Sequence, residues 1–150
     1  MKMPGIQQNY DVVDYLVGDL SIKLAAPKAT HKSRFRIGGV SVIVAGACRE
    51  DVTLIPSLEP FRIETGSSDI RIQIERVPNL PPTHRRKIFD SGTTWRLYQS
   101  EDGFQFDFRA PVLGDGPYKR LLADNDFSHT TLQISEESFA GCSFEADPLG

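Results

Sequence analysis

Apolar residues recur at every second position over several short stretches of this chain. The clearest is 69–77, DIRIQIERV, where Ile70, Ile72 and Ile74 alternate with Arg71, Gln73 and Glu75. Successive side chains of a strand point to opposite faces, so this spacing predicts a strand with one face buried and one face wet. A single wet face is typical of antiparallel sheets, and the stretch reads as a half-buried antiparallel strand. Phe35, Ile37, Val40, Val42 and Val44 repeat the period with a slip at Gly38-Gly39, which predicts a tight turn or a bulge. Val52 to Ile55 reads as a further short strand. Pro60 cannot donate to a ladder, so 58–61 is an edge or a connection.

Beyond the break at 78–82 (PNLPP), the alternation resumes at Trp95 and Leu97. It continues after Asp102-Gly103 with Phe104, Phe106 and Phe108. Asp-Gly between two alternating runs predicts a hairpin, because both residues tolerate positive φ. The three phenylalanines alternate with Gln105 and Asp107. That places them on the apolar, core-facing side of the strand, the alternative being an exposed patch that receives a partner. Residues 110–117 form a turn-rich loop. Tyr118–Ala123 reads as a strand or one helical turn, and Thr130–Ile134 as a strand. Toward the N-terminus, 1–9 are expected to be loose, Val12, Val13, Leu16, Val17 and Leu20 allow a short helix, Ser21–Leu24 reads as a strand, and 25–33 as a loop. Residues 136–150 lose the pattern and read as an irregular tail. The expected architecture is a single α+β domain over 1–150, mainly an antiparallel sheet with one or two short helices.

Length and composition narrow the function classes. A chain of 150 residues holds one domain with a real core. A net charge of -3 argues against nucleic-acid binding, which needs a basic face. Cys48 and Cys142 stand in no metal or redox spacing and read as small hydrophobes in a reduced compartment. The N-terminus lacks the apolar core of a signal peptide and no stretch is long enough to span a bilayer. The expected location is the cytoplasm.

No motif specifies a reaction. Gly38-Gly39 and Gly114-Asp115-Gly116 fit neither phosphate-binding glycine pattern, so no cofactor is expected. Ser128-His129 beside Asp126 is adjacency in sequence rather than triad geometry. Asp124-Asn125-Asp126 lacks the rest of a calcium loop, and His31, His84 and His129 have no ligand spacing. The best surface feature is the basic run His84-Arg85-Arg86-Lys87, a candidate contact for an acidic partner such as a protein or peptide, for a phosphate or for RNA, when weighed against a plain solvated loop. A second hypothesis, a small enzyme or ligand-binding protein, would build its site from residues distant in sequence, with His129, Asp126 and Arg109 as candidates.

The stretch 126–135 (DFSHTTLQIS), a spacer and then Asp147-Pro148-Leu149-Gly150 resemble the N-terminal region of bacterial HPr-kinase-related proteins. There an Asp-Phe-Ser-type strand precedes an Asn-Pro-Leu-type segment that leads into the kinase domain. FRIGGVSVIV (35–44), Pro60-Phe61, DIRIQI (69–74) and the aromatic hairpin 93–108 agree in order, so the resemblance covers most of 33–150. It implies a non-catalytic accessory domain that binds a protein or peptide. No residue here matches the family's phosphate-binding or catalytic motifs, so none is carried over.

Overall fold

The structure, a computed structural model, describes residues 28–140. The helix expected around Val12–Leu20, the strand at Ser21–Leu24 and the Asp147–Gly150 segment lie outside the described residues. Among the described residues eight strands form one sheet: β1 (His31–Ile37), β2 (Val40–Gly46), β3 (Ile70–Val77), β4 (Arg86–Asp90), β5 (Trp95–Ser100), β6 (Gly103–Phe108), β7 (Lys119–Ala123) and β8 (His129–Ser135). Their order across the sheet is β1-β2-β3-β8-β7-β6-β5-β4. A four-residue helix, α1 (Glu136–Phe139), opens the stretch expected to be irregular.

The sheet is mainly antiparallel, as expected, but it contains a parallel seam. β1 and β2 form an antiparallel hairpin, and β4 to β8 form an antiparallel meander. The seam between them is β3, which runs parallel to both β2 and β8. The antiparallel reading of DIRIQIERV is therefore corrected. Alternation reports how many faces of a strand are covered, not which way its neighbours run. Parallel neighbours need long crossovers. The one from β2 to β3 spans 47–69, and β8 returns beside β3 only after the whole meander.

Turn chemistry explains the hairpins. Ile37 pairs directly with Val40, so Gly38 and Gly39 are the whole loop, with φ of 57° and 87°. Two positive φ values suit the twist of a two-residue hairpin. At the second hairpin Ser100 pairs with Gly103, so the loop is Glu101-Asp102 and the expected Asp-Gly centre is displaced by one residue. Gly103 is needed for a different reason. Its φ is 140°, and a Cβ there would collide with the Ala123 carbonyl oxygen of β7. Two other expectations shift. β1 begins at His31, inside the stretch read as a loop, because its outer residues pair with Ala45 and Gly46. Glu50–Val52 is a 3-10 turn and the residues to Ile55 carry no strand, since Val52 and Leu54 leave the sheet to pack on its face.

Each face is covered differently. Phe35, Val44, Ile74, Leu132 and Ile134 make the apolar face, and Val52 and Leu54 of the 47–69 crossover close over them. Asp51 is buried in this crossover, 2.8 Å from Arg76 Nε, and accepts the Cys48 N–H at 3.3 Å. Burial pushes the Asp51 carboxyl up, but the bonds from Cys48 and Arg76 outweigh it and hold it low. Gly46 admits this arrangement, because a Cβ there would sit 2.5 Å from Asp51 Cβ. Cys48, expected to be a buried hydrophobe, is half-buried, and its thiol is pushed up by the hydrogen bond to Asp51.

The opposite face of the meander holds a buried polar layer. Arg120 forms a bidentate pair with Asp107 at 2.7 and 2.9 Å, and Gln105 donates to Asp107 Oδ1 at 3.0 Å. The connection 78–85 crosses above it, where Thr83 donates to Gln105 Oε1 at 3.3 Å. The phenylalanines of β6 share the face of Leu121 and Leu132, as expected, but the burial differs from the expectation. Gln105 and Asp107 are buried, while Phe104, Phe106 and Phe108 are only half-covered. Alternation identified two faces correctly, but the polar one is buried as well, with Thr83 of the proline-rich crossover bonded to Gln105.

Candidate functional site at an open sheet edge

Among the described residues, one of the sheet's two outer strands is closed and the other is not. Along β1, Arg62 bridges Phe35 and the Ile63 N–H donates to the Arg34 carbonyl at 3.0 Å. Along β4, no backbone group of the described residues pairs with the outer edge. All five residues of β4 are exposed. An unpaired strand edge presents a row of N–H and C=O groups that another extended chain can complete.

The sequence-predicted basic run leads into this edge. His84 and Arg85 end the crossover, and Arg86 and Lys87 begin β4, so the run is half strand rather than a solvated loop. Arg85 donates to Ser100 Oγ at 2.8 Å, and Arg86 donates to Gln99 Oε1 at 3.1 Å. Lys87 Nζ donates to Asp90 Oδ2 at 2.7 Å, and Arg96 Nε to the same oxygen at 3.0 Å. The bond from Lys87, then the Gly92 N–H and the charge of Arg96, hold the Asp90 carboxyl down at about 2. The positive charge of Lys87 is thus partly spoken for, whereas Arg86 meets only a neutral amide among the described residues.

Sequence reading missed the two residues that follow. Ile88 is bulged out of register between Lys87 and Phe89, and the two side chains are 43% and 46% exposed. The bulge breaks the period that would have marked a strand. Phe89 stacks on Trp95 with ring centroids 4.6 Å apart, and Trp95 meets Phe106 at 6.2 Å. Phe127, from the turn between β7 and β8, caps the row by stacking on Phe104 at 5.2 Å. Its φ of 61° is unusual for a bulky residue and costs backbone energy. Asp124 and Asp126 hold that turn: His129 N–H donates to Asp124 Oδ2 at 3.1 Å and Ser128 N–H to Asp126 Oδ1 at 2.9 Å. These carboxylates are therefore engaged in turn formation.

The residues named for a small-molecule site divide. Asp126 and His129 share the β7–β8 turn. Arg109 follows the far end of β6 and donates to the Asp115 carbonyl at 2.7 and 3.2 Å, about 17 Å away along the strand at roughly 3.4 Å per residue. Among the described residues, no three of His, Cys, Asp and Glu stand together as metal ligands, and no helix is long and apolar enough to cross a membrane. Compared with protein families, curated proteins and solved structures, the chain matches none of them.

Proposed function

We propose that this domain is a non-catalytic interaction module that captures an extended, acidic peptide segment by strand addition along β4. The observation that carries the reading is the asymmetry of the two sheet edges: β1 is closed by 62–63, while no described residue pairs with the outer edge of β4 and all five of its residues are exposed. Main-chain pairing supplies affinity in this mode, and pockets for alternate side chains supply specificity. Arg86 and Lys87 favour carboxylates on the incoming strand. Ile88, Phe89 and Trp95 offer it apolar and aromatic contact area. The bulge at Ile88 and the two cations also disfavour pairing with a second β4 edge, which carries the same charges. If the chain is the front part of an HPr-kinase-related protein, as the motif order of its sequence resembles, the captured segment belongs to that kinase's protein substrate.

Fluorescence anisotropy with a labelled decapeptide of alternating Glu and Val tests the reading. Its Lys-for-Glu counterpart is the control. The acidic peptide is expected to bind about tenfold more tightly, and Arg86→Glu to remove most of that preference. Equal binding of the two peptides, or binding indifferent to Arg86→Glu, contradicts it.

A further inference from the structure

The other half of the sheet carries a second feature, on the face opposite the apolar core. Register places Lys32, Ala45, Gln73 and Thr131 in one row across β1, β2, β3 and β8. The next row is Arg34, Ile43, Arg71 and His129. Directly paired residues share a face, so β2 contributes the short side chains of Ala45 and Ile43 to a floor. Long cationic side chains rise from β1 on one side and from β3 on the other, with the His129 imidazole of β8 beside them. The strands two apart are about 9.6 Å distant at the usual spacing, which leaves width for a phosphate group between the walls. The result is a trough of about 480 Å³, to which Lys28 adds a further cation.

Among the described residues the lining is donor-rich and one-signed, with no carboxylate in it. Among the described residues, Lys28, Lys32 and Arg71 form no ion pair. His129 Nδ1 is engaged at the rim, 2.8 Å from Ser128 Oγ and 3.4 Å from Asp124 Oδ2. In the adjoining position Arg34 donates Nη1 to the Glu64 carbonyl at 3.5 Å, and its Nε is buried without a partner. Converging cations recognise an oxyanion, and guanidinium and ammonium groups together suit phosphate. The apolar floor and the volume suit a ligand with a body attached, since small-molecule sites run to roughly 300–1,000 Å³ with mostly apolar walls and a few placed polar groups.

We propose that this trough binds a small organic phosphate ester, its phosphate between Lys32 and Arg71 and its body on Ile43 and Ala45. The site shares no residue with β4 and stands or falls separately from peptide capture. Calorimetric titration of the full chain at low salt with 1-naphthyl phosphate, inorganic phosphate and 1-naphthol tests it. Expected is tightest binding of the ester, weaker binding of inorganic phosphate and no specific binding of naphthol. Lys32→Gln with Arg71→Gln is expected to weaken the ester at least tenfold, while Arg86→Glu leaves it unchanged. Both replaced trough residues are exposed, so the variant fold is expected to persist, and an unchanged thermal midpoint checks this. Failure of the ester to bind, binding no tighter than inorganic phosphate, or binding insensitive to the double substitution overturns the proposal. So does tighter binding of a single-stranded RNA oligomer than of the ester.

Discussion

At the scale of single residues, buried polarity and close backbone contact are the exposed points of this fold. Arg120 and Asp107 form a bidentate pair almost out of water, with side chains 8% and 6% exposed. Arg120→Met alone strands a buried carboxylate and is expected to cost about 3–5 kcal/mol in urea unfolding. Adding Asp107→Leu is expected to recover most of that loss, because the second change removes the orphaned charge. Non-recovery would mean that the layer is held by something other than the pair. Gly103→Ala is expected to cost about 3 kcal/mol by the same measurement, since it combines a left-handed φ with a Cβ driven into the β7 backbone. None of this burial was legible in the sequence. Asp107 alternates with phenylalanines and reads as water-facing, and its partners Gln105 and Arg120 form a buried layer only once β6 and β7 are paired.

At the scale of elements, the period-two pattern located the central and C-terminal strands well. It failed where a partner or a bulge decides the outcome. β3 sits between two parallel neighbours, yet it alternates like an antiparallel strand because one of its faces stays partly open. β4 escaped notice because Ile88 is bulged and the preceding residues are charged. Its hairpin to β5 is pinned by Asp90, whose carboxyl lies at about 2 in the fold against 3.8 ordinarily. A carboxyl held below its unfolded value stabilises the fold above about pH 4, and that contribution is lost as pH falls from about 4 toward 2. Asp90→Asn is therefore expected to lower the thermal midpoint at pH 6 and to leave it nearly unchanged at pH 2. An equal loss at both values would deny the charge its role. The aromatic row gives a second handle, since Trp95 is the sole tryptophan of the chain. Phe89→Ala removes its 4.6 Å stacking partner, which is worth about 0.5–1.5 kcal/mol beyond buried area. The emission of Trp95 is expected to shift to the red, and an unmoved spectrum would place Phe89 elsewhere in solution.

At the scale of the whole molecule, two candidate surfaces lie on different halves of one sheet. The edge and aromatic row belong to the β4–β8 meander, and the basic trough to β1, β2, β3 and β8. The basic run at 84–87 was legible in the sequence as a surface feature. Its position beside an open strand edge was not, since strand order cannot be read from a chain whose neighbours in space are far apart in sequence. The trough was invisible for the same reason: Lys32, Arg71 and His129 come from three separate strands. Peptide capture as proposed requires β4 to accept a strand. The most direct measurement is amide hydrogen exchange of the full chain with and without the alternating Glu-Val decapeptide. Pairing protects amides, so exchange is expected to slow along 86–90, with 31–37 unchanged. Protection confined to other strands, or none at all under conditions where the peptide is bound, would contradict the account.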